Sequence, residues 1–312
     1  MLPQIAEINL LGTGGGYGES LVIHVGNDEW IVIDSCQYPI SKESLPLKFL
    51  KSKGIDLKNV KLIVCTHWHD DHIRGISEVL EKSPNSIFSF ARANDLEKFL
   101  QLITIDFEKV EKTTLNSSTK EFNRCLEIIK RRKSIAKKSE VDKLLYSTHW
   151  KEIKIEIYSF SPSDLSSNIF DIEISTLIKD YSALNKKIIS QSPNNRSVVL
   201  LLKLGKRNVL LGADLEVGEN PRLGWLDIIN NSQVIKTSEK SGYFKIPHHG
   251  STNGYHHEIW GKLLVEKPLA TLTPWNKKDK LPKKEMLTKY KQLASELYMT
   301  SPLPTSVKLS II

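Results

Sequence analysis

Three times in this chain an apolar run ends abruptly in ionisable residues: "VKLIV" before "CTHWHDDH", "VLL" before "GADLE", and "FKI" before "PHHGS". That recurrence constrains the fold more than any other feature. Each run reads as a short buried strand bounded by polar residues. After "CTHWHDDH", the spacing of Ile73, Ile76 and Leu80 predicts a helix. The first cluster therefore falls where a strand ends and a helix begins, the usual position for a site in an α/β protein. The other two share its layout.

Further strands are predicted at "IAEINLLG", "SLVIHV", "EWIVIDS", "SIFSFA", "EIKIEIYSF", "RSVVLLLKLG", "ATLTP" and "SVKLSII", with "GND" and "GKRN" as hairpin turns. The glycine-rich "GTGGGYGES" lacks G-K-[ST] and leads into a strand, so it is not a phosphate loop. It reads as a mobile or tightly turned loop beside a substrate, or as a plain hairpin connection. Between about Asn94 and Thr148 the chain becomes charged and helical in pattern, a helical insertion in the main domain. Two β-rich halves packed together with helices outside is the expected architecture.

Composition narrows the function classes. Of 312 residues, 40% are hydrophobic, enough for a sizeable core. The three cysteines are scattered and form neither a disulfide framework nor a thiolate zinc site. No run is long and apolar enough to span a membrane, so a cytoplasmic protein without membrane contacts is expected. The net charge of +8 favours an anionic partner.

His67 and His69 stand two apart in an extended stretch, so their rings project to the same side. Asp71 and His72 lie in the first helical turn, close enough to converge on the same or an adjacent point. Imidazole and carboxylate are what a zinc-like ion prefers. Two ions need further donors, and Asp214 and His248, each following a strand, are the candidates. An aspartate in that position also serves commonly as a helix cap.

Taken together these motifs resemble the metallo-β-lactamase superfamily. "THWHDDH" looks like its signature, Asp34 in "IVIDS" matches its first motif, Asp214 its fourth and His248 its fifth. Within it, "NNRSVVLLLKLGKRNVLLGADLE" followed by "KIPHHGS" is especially similar to the ComEC-like competence hydrolase domains. The resemblance implies an αββα sandwich, one domain over residues 1–312 with a helical insertion at about 94–148, and a metal site along one edge of the two sheets. It implies two divalent ions, zinc or manganese. His67 and His69 would hold the first, Asp71, His72 and His248 the second, with Asp214 bridging and Asp34 orienting a ligand histidine from behind. The third motif's histidine is replaced by "SPNNRS", where Asn194 or Asn195 would stand in, with His149 a more distant candidate. The first ion is then expected to bind more weakly.

The implied chemistry is phosphodiester hydrolysis by a metal-activated hydroxide, with Asp71 orienting the nucleophile and His249 protonating the leaving oxygen. Nucleic acid or a nucleotide is the expected partner, and a larger protein complex is compatible with the sequence. Ser251 and Thr252 read as phosphate contacts or as a simple turn. Between Lys120 and Lys143, nine basic residues face four acidic ones, and Lys130, Arg131, Arg132 and Lys133 are candidate phosphate contacts, as is "WNKKDKLPKK". The rival readings are hydrolysis of a small cyclic nucleotide or of a neutral lactone or thioester, and a degenerate, metal-stabilised interaction module.

Overall fold

The computed structural model describes residues 5–13, 18–38, 41–111, 118–181, 193–277, 279–300 and 305–310. The first half supplies six strands, β1 (Ile5–Gly12), β2 (Glu19–His24), β3 (Trp30–Ile33), β4 (Val60–Cys65), β5 (Ile87–Ala91) and β6 (Lys137–Ser139). The second half supplies β7 (Lys143–Trp150), β8 (Ile153–Ser159), β9 (Leu200–Leu204), β10 (Arg207–Leu211), β11 (Ser241–Lys245), β12 (Leu264–Leu272), β13 (Glu296–Met299) and β14 (Thr305–Ser310). The helices are α1 (Leu45–Ser52), α2 (Asp70–Ile73), α3 (Ile76–Lys82), α4 (Leu96–Glu111), α5 (Ser118–Arg131), α6 (Asp164–Tyr181), α7 (Gly224–Asn231), α8 (Gln233–Thr237) and α9 (Lys284–Leu293).

The strands form two seven-stranded sheets, in the orders β14-β1-β2-β3-β4-β5-β6 and β13-β12-β11-β10-β9-β8-β7. Both are built alike. Pairing is antiparallel from β14 through β3 and parallel from β3 to β6; it is antiparallel from β7 through β10 and parallel from β10 to β13. The chain therefore leaves β3, β4, β10, β11 and β12 as parallel strands, whose C-terminal ends gather the loops that follow them.

Strand residues alternate between two buried environments, which is why these strands read as continuous apolar runs. In β2 to β4, Ile23, Ile31, Ile33, Leu62 and Val64 meet Ile157, Leu202, Val209 and Tyr243 between the sheets. Their neighbours Val22, Val32 and Ile63 face outward onto Leu47, Leu80 and Phe122 of α1, α3 and α5. On the far side, Leu210, Phe244 and Ala270 pack against Trp225, Trp260 and Tyr290. The result is the expected αββα sandwich.

The insertion departs from expectation. Helices α4 and α5 end by Arg131, and residues 137–139 and 143–150 are strands that edge the two sheets rather than helix. In the edge strand β7 only Leu145 and Trp150 are buried, so its other residues stay polar and lack a strand-like run. The basic residues ending α5 also lie away from the site. Arg131 pairs with Glu81, and Arg132 donates to the carbonyls of Leu80 and Ser83. That is where α3 ends ahead of β5, at the edge opposite the C-terminal strand ends. Among the described residues no helix is long and apolar enough to cross a membrane.

Candidate metal centre

At the end of β4, Thr66–His69 runs extended into the single turn of α2, with His69 as its N-cap residue (φ −69°, ψ 145°). Four further residues arrive from other strand ends: Asp34 after β3, Asp214 after β10, His249 after β11 and Trp275 after β12. Asp34, Ala213, His248 and His249 all have positive φ, between 45° and 57°. Such non-glycine conformations persist where the surroundings impose them, and they cluster at functional sites.

Asp34 is the hub beneath the site. Its Oδ1 accepts the Thr66 amide at 2.7 Å, and its Oδ2 accepts the Thr66 hydroxyl at 2.7 Å and His72 Nδ1 at 2.8 Å. Thr66 Oγ1 stands 2.9 Å from His67 Nδ1. Because that hydroxyl donates to Asp34, it accepts from His67 Nδ1–H. Both imidazoles are thereby fixed with Nε2 as the nitrogen turned toward the centre, the orientation that an outer carboxylate gives a ligand histidine. His249 is set in the same way, with Nδ1 donating to the Thr273 carbonyl at 2.9 Å.

The freed nitrogens converge on the carboxylates. His72 Nε2 lies 3.4 Å from Asp214 Oδ2 and 3.8 Å from Asp71 Oδ2, while His249 Nε2 lies 3.5 Å from each of those oxygens. His67 Nε2 and His69 Nδ1 are 3.2 Å apart. Donors at about 2.0–2.2 Å from a tetrahedral ion stand about 3.4 Å from one another. The spacing is that of an ion's ligand shell, and buried His72 Nε2 and Asp214 Oδ1 have no hydrogen-bond partner. The donor set therefore fits divalent metal.

Residues 13–107 match the Metallo-beta-lactamase superfamily profile. That matched segment carries His67, His69, Asp71 and His72. The chain has the metallo-β-lactamase fold, αββα with helices outside both sheets. The metallo-β-lactamase fold protein YhfI from Bacillus subtilis is 13% identical, covering 97% of this chain and 100% of its own, with a TM-score of 0.48. The short form of human tRNase Z is 11% identical, with coverages of 98% and 99% and a TM-score of 0.43. No curated protein sequence matches the chain.

In this metallo-β-lactamase fold the two adjacent histidines exchange their expected places. His249 is buried and joins Asp71 and His72, whereas half-buried His248 turns aside. Its Nε2 is 3.0 Å from Asn194 Nδ2 and its Nδ1 3.0 Å from Ser251 Oγ, so both ring nitrogens are engaged. Two successive left-handed residues, His248 (φ 49°) and His249 (φ 53°), reverse the chain here and aim the second ring inward. Asn194 reaches the centre's rim through His248, and its buried Oδ1 has no hydrogen-bond partner. For Asn195, the main-chain carbonyl accepts Ser166 Oγ. His149 is exposed on edge strand β7 and is not among the converging donors. Ser251 both contacts His248 and caps the next turn through the Gly254 amide. Residues 14–17 of the glycine-rich loop lie outside the described residues.

Electrostatics divide the imidazoles. Burial drives His67 well below its ordinary pKa, with His72 adding to the effect, and burial lowers His69 too. His72 and His249 resist their burial because Asp214 and Asp71 hold them above the ordinary value. Burial likewise opposes ionisation of Asp71 and Asp214, but the same two imidazoles keep both carboxyls low. Without an ion, His72 and His249 thus hold their protons more tightly than an ordinary imidazole does, and an incoming ion must displace them. Zinc binding at pH 7 is expected to release protons, and apparent affinity should keep rising with pH beyond the ordinary imidazole range. Calorimetry in buffers of different ionisation enthalpy checks this; heats independent of buffer would contradict it.

Proposed function

We propose that the protein is a metal-dependent phosphodiester hydrolase acting on nucleic acid. The observation carrying this reading is the rim beside His249. Trp275 is half-buried with its ring 5.3 Å from the His249 ring, and Lys277 Nζ lies 4.4 Å from the Trp275 ring centroid. Reciprocal backbone hydrogen bonds between Trp275 and Leu281, of 2.9 and 2.8 Å, close the loop that also presents exposed Lys280. An aromatic face beside cationic side chains suits a base and its phosphate. The resemblance of "NNRSVVLLLKLGKRNVLLGADLE" and "KIPHHGS" to ComEC-like hydrolase domains supports the same substrate class.

In this reading His67 and His69 would hold one divalent ion and Asp71, His72 and His249 a second, with the Asp214 carboxylate within reach of the second set. When bound, such ions supply Lewis acidity toward the phosphoryl oxygens and a nucleophile at neutral pH. Asp71 would orient that nucleophile. His248 takes the acid role expected of its neighbour: Asn194 donates to its Nε2, which leaves the proton on Nδ1, and Ser251 Oγ accepts that proton and passes its own to the leaving oxygen. An apolar acyl substrate finds less support. The apolar cavity beside His67, lined by Trp68, Phe90, Phe99 and Phe122, holds about 30 Å³, room for one or two waters.

The test is cleavage and binding of single-stranded DNA, duplex DNA and RNA across salt concentrations. Each phosphate contact contributes a log–log slope of about −0.9 for duplex and about −0.7 for single strands. Neutralising Lys277 and Lys280 should flatten the slope by up to about two such contacts. Neutralising Lys130 and Lys133, at the opposite edge, should leave it unchanged. Salt-insensitive turnover together with hydrolysis of a neutral lactone or thioester would sink the nucleic-acid reading.

A further inference from the structure

Glu19 and Lys245 enter the space between the sheets from opposite sides. Tyr243 faces the intersheet core and Phe244 the outer helices, so parity turns Lys245 inward along β11. Leu21 and Ile23 place Glu19 on the inner face of β2 by the same argument. The two side chains are 0% and 2% exposed and form an ion pair behind Asp214. Fold stability alone gives little reason for it, since well-packed apolar residues commonly replace a buried pair without loss.

What the pair adds is a donor at a particular carbonyl. Lys245 Nζ donates to the Ala213 carbonyl at 2.9 Å, and the His248 amide donates to that same oxygen at 3.1 Å. Ala213, His248 and His249 all have positive φ, of 45°, 49° and 53°. One carbonyl therefore ties together the two strained turns that carry Asp214 and His249. Lys245 Nζ also lies 3.8 Å from Asp214 Oδ1, an oxygen with no hydrogen-bond partner.

We propose that Lys245 is a positioning residue of the centre: held by Glu19, its ammonium fixes the Ala213 carbonyl, and through it the turns that present Asp214 and His249. The proposal rests on reading these residues as a metal centre. Lys245 itself touches neither substrate nor reacting atoms.

The test compares the wild type, Lys245→Met and the double variant Glu19→Gln/Lys245→Met. Two quantities are measured: zinc affinity by competition with a chromophoric chelator, and melting temperature in excess chelator. Lys245→Met should lower both, with affinity at the Asp214–His249 side falling about 10- to 100-fold. The double variant leaves no orphaned buried charge, so it should regain melting temperature while its zinc affinity stays low. If Lys245→Met does not fold, the double variant against wild type carries the comparison. Wild-type zinc affinity in either folded variant would overturn the proposal, because the pair would then serve charge balance alone. A wild type that takes up no zinc would overturn the metal reading and the proposal with it, an outcome distinct from loss confined to the variants.

Discussion

His249→Ala is expected to lose one bound ion, whereas His248→Ala keeps it. The two side chains are adjacent in sequence, yet only His249 Nε2 stands 3.5 Å from both Asp71 and Asp214. Removing it takes one donor from that shell and leaves the two carboxylates with His72 alone. An ion supplies several kcal/mol of transition-state stabilisation, and each 1.36 kcal/mol is tenfold in rate. Hydrolysis should therefore fall by about 10²- to 10⁴-fold. His248→Ala should reduce turnover through loss of a general acid, by about 10²- to 10⁴-fold, with metal content intact. Rate alone cannot separate the variants, so metal analysis of the purified proteins is the deciding measurement. Normal metal content in His249→Ala alongside depleted metal in His248→Ala would reverse the assignment.

That exchange shows where sequence stops being informative. "PHHGS" after an apolar run announces a site, but which imidazole faces inward depends on two left-handed residues in a row. Nothing in side-chain chemistry signals that. The strands were legible because both faces of each sheet are buried, so apolar runs survive without alternation. Edge strand β7 was not, because it buries only Leu145 and Trp150 and its remaining residues are free to be polar. Helix α6 carried no clear stripe either, and Ile169 and Ile172 stand exposed on it. The first cluster was legible for a local reason: His67, His69, Asp71 and His72 lie within one extended segment and one helical turn, so spacing alone predicts convergence.

Lys245 and Glu19 are within reach of the sequence. In "GYFKI" and "ESLVIH", period-two parity puts each charge on the same face as the core residues Tyr243, Leu21 and Ile23. A lone charge predicted to point into a core demands a partner, and two of opposite sign on facing sheets answer each other. Thr66 was harder to read. Its hydroxyl matters only because Asp34, far away in sequence, comes within 2.7 Å.

Gly18→Ala is expected to damage the site from behind. Gly18 has a φ of 149°, and a Cβ built there would stand 2.4 Å from Cys36 Cβ and 2.5 Å from the Asp71 carbonyl oxygen. The second clash is with backbone, which no rotamer change relieves. The added methyl must push β2 away from α2 or push Asp71 out of place. Backbone strain of about 1–3 kcal/mol and overpacking of about 1–3 kcal/mol together threaten a fold whose whole margin is about 5–15 kcal/mol. A shift of about 1 Å in Asp71 would further cost about 10²-fold in turnover. Gly242→Ala is the matched control, since a Cβ there meets nothing within 4 Å. Melting temperature in chelator and zinc content should both fall for Gly18→Ala and hold for Gly242→Ala. If Gly18→Ala melts and binds zinc like the wild type, β2 does not press on Asp71, and the glycine is there only for the turn.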